Sequence, residues 1–326
     1  MLDVLIIGAG PAGLAAAIAA RRIGLTYGVL EQGALVNSLA RYPTDMVFFT
    51  TPELLEIGGV PFVSPHEKPT RQEALRYYRR VTDAFELDVR FEETVTDVRP
   101  AGPGFVVGSE PRIGPPRETQ ARTVVLATGA YDLPNAIGVP GEDLPHVSHF
   151  YREPHPFFRR RVVVVGGKNS AAEAALDLFR NGATVTLIHR HPALGDSIKY
   201  WVKPDIDNRI AEGSIAARFS TRIVDITAAD VGVVGPDGAS RLPADGVLLL
   251  TGYRSDTTLL RAAGARIDEA LAAPVHDPET FETSVPNLFV IGACVAGRQS
   301  GRIFIENGRL HGDAAIREIA RRRASA

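Results

Sequence analysis

The sequence has very little cysteine, because Cys294 is the only thiol among its 326 residues. A single cysteine excludes a disulfide bond within the chain. A protein without internal disulfides suits a reducing compartment, so we expect it in the cytoplasm. The chain also enters an apolar strand pattern at Leu2, and for that reason we do not expect a signal peptide.

Excess charge of one sign and long apolar runs are lacking as well. The formal net charge is −2, which gives no electrostatic footprint for nucleic acid. No apolar stretch approaches the length needed to cross a bilayer, so no membrane partner is expected. His146, His149 and His155 have no cysteine or acid at ligand spacing, so we expect no metal site. The chain has 326 residues, which is more than one domain usually has, so two domains are expected. Its hydrophobic content of 45% is ordinary for a globular protein.

A glycine-rich turn between two predicted strands dominates the first thirty-one residues. Leu2–Ile7 is predicted as a buried strand, and a helix over Leu14–Ala20 leads to a second strand, Tyr27–Leu30. The turn, Gly8–Gly13, has the form G-x-G-x-x-G. Its glycines permit a tight turn, the approach of a pyrophosphate and close packing of helix on strand. Glu31 follows at the place where an acid binds a ribose hydroxyl, so the unit predicts a dinucleotide site.

A second unit of this kind follows about one domain later. Arg161–Val165 and Thr184–Ile188 are predicted strands on either side of a glycine turn and a helix over 171–180. Lys168 departs from the pattern, because it stands where the second glycine is expected. Arg190 follows the last strand, where an arginine suits the 2′-phosphate of NADP and an acid would suit NAD. The alternative for Arg190 is an ordinary surface position.

A long loop and two further helices are also predicted. The segment 32–69 is rich in proline, glycine and aromatic residues, and its length predicts a functional loop. A helix over 70–85 begins with a capping box formed by Thr70 and Glu73. A closing helix is predicted over 303–319.

The two glycine-rich units and a final strand–glycine–helix segment resemble a known class of flavoproteins. This class is the small, thioredoxin-reductase-like type of pyridine nucleotide-disulfide oxidoreductase. The resemblance implies an α/β fold with two Rossmann-like dinucleotide-binding domains of the three-layer ββα type. It also implies that a discontinuous domain, residues 1–133 plus 255–326, binds FAD and that residues 134–254 bind NADPH.

Six segments spread over nearly the whole chain resemble a narrower family, the bacillithiol-disulfide reductases (YpdA-like). The segments are Val36-Asn37-Ser38, Tyr42-Pro43-Thr44, Leu55-Glu56-Ile57-Gly58, Gly166-Gly167-Lys168-Asn169-Ser170, Lys199-Tyr200-Trp201-Val202-Lys203-Pro204-Asp205 and Ile303-Phe304-Ile305-Glu306-Asn307-Gly308. The resemblance implies NADPH-dependent reduction of oxidised bacillithiol, a low-molecular-weight thiol disulfide.

The resemblance also implies candidate cofactor residues. For FAD these are Gly8, Gly10, Pro11, Ala12, Gly13, Glu31, Gln32, Asn37, Tyr42, Thr128, Gly129, Gly292 and Ile303. For NADPH they are Gly166, Gly167, Lys168, Asn169, Ser170, His189, Arg190 and Lys199.

The chain departs from both families in its thiols. It has no Cys-x-x-Cys pair, so thioredoxin reduction by internal dithiol exchange is excluded. Ala12 stands where the bacillithiol family often carries a cysteine proposed to attack the substrate disulfide. Cys294 is then the only candidate catalytic thiol, and the alternative is a small packed apolar residue. Ala293 stands where such flavoproteins usually have an aspartate at the ribityl chain.

Two other functions stay open on the sequence. A ferredoxin or flavodoxin:NADP reductase shares the two domains and needs no cysteine. A flavin- and NADPH-binding redox sensor would bind both cofactors without turnover, and steady NADPH oxidation with an added acceptor would exclude it. In every case we expect a homo-oligomer whose partner is a small-molecule disulfide or another electron acceptor.

Overall fold

The structure is a computed structural model that describes residues 1–324, the side chain of Ser300 excepted. The chain divides into two compact units. The first unit comprises Met1–Leu133 and the chain from Tyr253 onward, and the second comprises Pro134–Gly252. The first unit therefore resumes at Tyr253, two residues before position 255, where the resemblance implies that the FAD domain resumes.

Both units contain α-helices and β-strands, and each has a run of consecutive strands without an intervening α-helix, over residues 89–126 in the first and 216–249 in the second. The helices are α1 (Pro11–Arg22), α2 (Asn37–Arg41), α3 (Arg71–Ala84), α4 (Asn169–Arg180), α5 (Lys203–Ala211), α6 (Thr258–Ala262), α7 (Ile305–Gly308) and α8 (His311–Ala324). The strands are β1 (Leu2–Ile7), β2 (Tyr27–Leu30), β3 (Val89–Arg90), β4 (Glu93–Ala101), β5 (Gly104–Pro111), β6 (Arg117–Leu126), β7 (Leu133–Pro134), β8 (Val147–Ser148), β9 (Arg161–Val165), β10 (Thr184–Ile188), β11 (Ala216–Arg218), β12 (Arg222–Ile226), β13 (Asp230–Gly235), β14 (Gly238–Pro243), β15 (Gly246–Leu249), β16 (Tyr253–Arg254), β17 (Ile267–Asp268), β18 (Ala273–Pro274) and β19 (Leu288–Val290).

The first unit contains a parallel sheet with the order β3-β2-β1-β6-β19, and β4 and β5 extend β6 in antiparallel fashion. One face packs on α1, α3 and α8 through buried residues such as Ile18, Tyr78 and Ile316. The other face packs on the antiparallel strands and α6 through Phe105 and Leu260. The apolar strands are covered on both faces, as parallel sheets require.

The second unit repeats this plan on a smaller scale. Its parallel sheet has the order β11-β10-β9-β15-β8, and β12, β13 and β14 form a separate antiparallel sheet. Helix α4 covers one face through Ala172 and Leu178, and the antiparallel sheet covers the other through Ile226 and Val231. The predicted α/β class with two Rossmann-like, three-layer units is confirmed.

The predicted closing helix is wrong in its extent. Instead of one helix over 303–319, the short helix α7 ends at Gly308 and α8 begins at His311. The Asn307 side chain accepts a hydrogen bond from the Phe304 amide (2.8 Å) and donates one to the Arg302 carbonyl (3.0 Å). Such local bonds compete with helix continuation, and glycine is a poor helix former. The long helix therefore starts eight residues later than predicted, at His311.

The predicted capping box of α3 is confirmed. The Thr70 hydroxyl accepts from the Glu73 amide, and the Glu73 carboxylate accepts from the Thr70 amide at 2.8 Å.

Replacing Thr70 by alanine should lower the free energy of unfolding by about 1 kcal/mol, because an unpaired amide is left at the start of α3. Urea denaturation measures this loss. The matched control is Thr82→Ala, since Thr82 lies inside the same helix and its hydroxyl bonds only the Tyr78 carbonyl. Equal losses for the two variants would contradict a special role of the cap.

Candidate cofactor sites

The first glycine turn lies at the carboxyl edge of the parallel sheet, between β1 and α1. Gly8 has a φ of +107°, and a side chain there would meet the Ala127 carbonyl oxygen at 2.5 Å. A side chain at Gly13 would lie 1.9 Å from the Gly8 carbonyl oxygen. At Gly10, by contrast, a side chain would meet no atom within 4 Å. Gly8 and Gly13 thus serve the protein's own packing, and Gly10 leaves space open above the turn.

Glu31 holds this turn to the end of β2. It is 5% exposed, and its two carboxylate oxygens accept hydrogen bonds from the Ala9 amide (2.8 Å) and the Gly33 amide (2.9 Å). Burial raises the pKa of this carboxyl, against the effect of the two amides. Each carboxylate oxygen has two acceptor positions, so both oxygens keep capacity for a ribose hydroxyl.

The segment after Glu31 folds back over the glycine turn. The Val36 amide donates to the Ala9 carbonyl at 3.1 Å, and Val36 adopts a left-handed conformation with a φ of +48°. A side chain at Gly33 would lie 2.5 Å from Oδ1 of Asn37. The predicted residue Asn37 is therefore placed beside the turn by local contacts.

Gln32 and Tyr42 contact the loop that follows β6. The Gln32 amide donates to the Asp132 carboxylate at 2.9 Å, and Arg41 forms an ion pair with the same carboxylate. The Tyr42 ring meets the Tyr131 ring edge to face, with centroids 4.7 Å apart. Burial raises the pKa of Tyr42, so its hydroxyl stays protonated at neutral pH.

The remaining candidate FAD residues complete the same edge. Thr128 and Gly129 follow β6, and Gly129 has a φ of +74°. Gly292 follows β19, and a side chain there would lie 2.8 Å from Cβ of Ala12. Ile303 and Gly292 both lie close to Gly308. A side chain added at Gly308 would lie 3.2 Å from Cγ2 of Ile303 and 3.3 Å from Cα of Gly292. All thirteen predicted FAD residues therefore lie within the first unit, along one edge of its sheet.

The first turn fits the diphosphate of a dinucleotide. The open space over Gly10 leaves room for the diphosphate to approach. The helix that begins at Pro11 offers amide groups to it, and the carboxylate of Glu31 is an acceptor for a ribose hydroxyl.

The second glycine turn connects β9 to α4 and has its own distinct packing. Gly166 has a φ of +152°, and a side chain there would lie 2.6 Å from the Leu250 carbonyl oxygen. A side chain at Gly167 would lie 2.2 Å from the ring of His189. Lys168, the residue that departs from the motif, is exposed and precedes α4. Its side chain therefore extends into solvent where the general motif has a glycine.

A loop after β10 is fastened to this turn. The Gly195 amide donates to the Gly167 carbonyl at 3.0 Å. Oδ1 of Asn169 accepts from the Lys199 amide at 2.7 Å, and the Lys199 ammonium pairs with Glu173 of α4 at 2.5 Å. Asn169, Ser170 and Lys199 therefore lie together at the start of α4.

Arg190 and two histidines follow β10 at the carboxyl edge of the second sheet. Arg190 is exposed, and among the described residues no acidic side chain pairs with it. Its Nε lies 3.3 Å from Nε2 of His191, and the rings of His189 and His191 are 5.1 Å apart. Burial and these two neighbours lower the pKa of His189. A guanidinium at this place, without an acidic partner among the described residues, suits a phosphate.

Cys294 is packed inside the first unit. It is 1% exposed, and Sγ lies 2.9 Å from the Ile291 carbonyl oxygen and 3.4 Å from the Leu126 carbonyl oxygen, which share its one proton. Burial raises its pKa to about 11. Only the thiolate is nucleophilic, so this environment disfavours the catalytic role considered for Cys294 and favours that of a packed apolar residue.

Three residues of the same edge were missed by the sequence analysis. Gly308, His311 and Gly312 lie at the break between α7 and α8, and a side chain at Gly312 would lie 2.6 Å from the Ala16 backbone nitrogen of α1. The available signal was Asn307-Gly308, since this pair favours a helix break over a continuous helix.

Two kinds of feature are absent from residues 1–324. No described helix combines the length and the apolar composition needed to cross a membrane. In the same residues, no group of three histidine, cysteine or acidic side chains is placed to hold a metal ion.

The chain is similar to proteins of known family over nearly its whole length. The family model for pyridine nucleotide-disulphide oxidoreductases matches residues 5–292. Bacilliredoxin reductase Bdr of Bacillus subtilis (strain 168) is 40% identical over 98% of this chain and 97% of that protein. The solved bacillithiol disulfide reductase Bdr (YpdA) of Bacillus cereus has a TM-score of 0.96 and 40% identity, covering 98% of this chain and 99% of that one. The corresponding structure from Staphylococcus aureus has a TM-score of 0.94 and 35% identity, with 98% of both chains covered.

Proposed function

The chain belongs to the pyridine nucleotide-disulphide oxidoreductase family, and we propose that it reduces a low-molecular-weight thiol disulfide such as bacillithiol disulfide. It is a flavoprotein reductase with the cofactors FAD and NADPH. The balanced reaction consumes NADPH, one proton and one disulfide and yields NADP⁺ and two thiols. When bound, FAD carries two electrons from NADPH to the disulfide.

The observation that carries this proposal is the pair of glycine turns, one at the carboxyl edge of each parallel sheet. We assign the first turn and Glu31 to FAD, and the second turn with Arg190 and Lys199 to NADPH. In the first unit, Gly10 would leave room for the diphosphate of FAD, Glu31 would accept a hydrogen bond from its ribose, and Gln32, Asn37 and Tyr42 would line the site. In the second unit, the start of α4 would bind the diphosphate of NADPH, and Arg190 would bind its 2′-phosphate.

The proposed substrate is tested by NADPH oxidation with a panel of acceptors. The names of the relatives point to two of them, bacillithiol disulfide and a bacilliredoxin. Ferredoxin and a quinone complete the panel. Rapid NADPH consumption with bacillithiol disulfide, yielding two thiols per NADPH, supports the proposal. Turnover with ferredoxin alone would contradict it.

A ferredoxin or flavodoxin:NADP reductase is the second candidate function. The observation that favours it is the burial of Cys294, because it leaves the chain without an accessible thiolate. A one-electron protein acceptor needs no such group. The same panel separates the two functions, since a small disulfide would then stay unreduced.

Replacing Cys294 by serine should leave the turnover number with bacillithiol disulfide within about twofold of the wild type, because a buried hydroxyl of similar volume keeps the packing. Stopped-flow spectroscopy of the flavin measures NADPH-driven reduction and disulfide-driven reoxidation separately. Cys294→Ala is the matched control, since it removes the hydrogen bonds to Ile291 and Leu126 as well. Selective loss of reoxidation in Cys294→Ser would contradict this expectation and assign the thiol a catalytic role.

We include a cytoplasmic location and a homo-oligomeric state in the proposal. A reducing compartment suits a chain whose one thiol is buried and unpaired with another cysteine. Light scattering of the FAD-loaded protein measures the assembly. A mass equal to one chain at working concentration would contradict the homo-oligomer.

A further inference from the structure

His311 contacts the backbone of the first cofactor edge directly. The Gly292 amide donates a hydrogen bond to Nδ1 of His311 at 3.2 Å. Gly292 has a φ of +72° and lies against Ala12 of the glycine turn. The imidazole of α8 is thus joined through one residue to the turn that we assign to FAD.

The imidazole is held in the neutral, accepting form. Its ring stacks on Phe281 with centroids 4.1 Å apart and planes 17° apart, and the ring of His276 also stacks on Phe281 with centroids 6.0 Å apart. Burial, with a contribution from His276, lowers the pKa of His311 to about 4. Nδ1 is therefore an acceptor at neutral pH, and the other ring nitrogen carries the proton.

Helix packing fixes the position of this imidazole. A side chain at Gly312 would lie 2.6 Å from the Ala16 backbone nitrogen and 3.0 Å from the Ala12 carbonyl oxygen, so α8 begins in close contact with α1. Because interiors are close-packed, the start of α8 cannot move away from the glycine turn without opening this contact.

Ala293, the residue after Gly292, shows why the contact between the Gly292 amide and His311 matters. The side chain of Ala293 has no polar atom that can hydrogen-bond a ligand. Side chains hold the backbone of the turn after β19 at two places, since the Ser255 hydroxyl donates to the Ala293 carbonyl at 3.3 Å and His311 accepts from the Gly292 amide.

We propose that His311 is a positioning residue for FAD: by accepting the Gly292 amide, it fixes the turn after β19 against the first glycine turn. This inference rests on the assignment of FAD to the first unit. His311 acts through Gly292 and takes no part in electron transfer.

Two variants separate the hydrogen bond from the ring stacking. His311→Phe keeps an aromatic ring on Phe281 and removes the acceptor. His311→Asn keeps an acceptor near the position of Nδ1 and removes the ring. FAD dissociation constants are measured by quenching of flavin fluorescence with the FAD-free proteins, and their unfolding temperatures are measured in parallel.

We expect His311→Phe to raise the FAD dissociation constant about tenfold, the loss expected for one hydrogen bond that orients a ligand site, and to lower the unfolding temperature, because the buried Gly292 amide loses its acceptor. His311→Asn should bind FAD within about threefold of the wild type although its unfolding temperature falls. Unchanged binding by His311→Phe, or weakened binding by His311→Asn when the protein is folded, would overturn the inference. If the wild type takes up no FAD, the proposed function itself fails, and this inference fails with it.

Discussion

Replacing Gly10 by alanine should raise the FAD dissociation constant about a hundredfold, equivalent to about 2.7 kcal/mol, and leave the unfolding temperature of the FAD-free protein unchanged. Gly10 has a φ of −76° and a ψ of 175°, a conformation that alanine adopts freely. Its added methyl group meets no protein atom within 4 Å, so the protein itself loses nothing. The methyl group would occupy the space through which the diphosphate approaches the turn.

Two other glycines serve as controls for this variant. Gly108→Ala adds a methyl group on β5, where the nearest atoms lie at 3.5 and 3.6 Å, so both binding and stability should be preserved. Gly13→Ala should instead destabilise the FAD-free protein, because its methyl group would lie 1.9 Å from the Gly8 carbonyl oxygen. Normal FAD binding by Gly10→Ala would contradict the assignment of this turn to FAD.

Replacing Arg190 by alanine should weaken NADPH binding about thirtyfold and leave NADH binding nearly unchanged. A charge-assisted pair of arginine and phosphate contributes about 2 kcal/mol, and only NADPH carries the 2′-phosphate. The guanidinium is exposed, with no acidic partner among the described residues, so its removal breaks no ion pair. The ratio of kcat/KM for NADPH to that for NADH measures the effect.

Arg160→Ala is the matched control for the charge. Arg160 is also exposed, but it precedes β9 and therefore lies at the amino edge of the second sheet, opposite Arg190. Its loss changes the net charge equally and should leave the cofactor preference as it is. An unaltered NADPH preference in Arg190→Ala would mean that the arginine is an ordinary surface residue.

The two glycine turns could be predicted from the sequence because their requirements are local. Gly8 needs a positive φ, and Gly13 must approach the Gly8 carbonyl within five residues of chain. Strand, turn, helix and acid then follow in an order that few other structures produce. The capping box of α3 was equally predictable, since Thr70 and Glu73 recognise each other's backbone.

The contacts made by His311 could not be predicted in the same way. His311 meets Gly292 across nineteen residues, and this contact forms only after α8 has packed on α1 through Gly312. The apolar periodicity over 303–319 indicates a continuous helix, whereas the Asn307 side chain ends α7 by bonding nearby backbone. The helix break before His311 and its contact with Gly292 therefore depend on tertiary packing and side-chain capping, which helix propensity does not predict.

The role of Cys294 could not be predicted from the sequence alone either. Its position after an apolar strand was compatible with both a catalytic thiol and a packed one. The structure places it in the turn after β19, where its buried Sγ faces the carbonyl oxygens of Ile291 and Leu126. Burial of this kind raises the pKa and makes thiolate formation unfavourable.

We expect electrons from NADPH to pass through FAD to a small thiol disulfide without a protein thiol. The most direct measurement is an anaerobic stopped-flow experiment on the FAD-loaded protein, which follows flavin absorbance. Addition of NADPH should bleach the flavin, and subsequent addition of bacillithiol disulfide should restore its absorbance in both the wild type and Cys294→Ser, with two thiols released per flavin. Flavin that NADPH reduces but bacillithiol disulfide leaves reduced would contradict the claim.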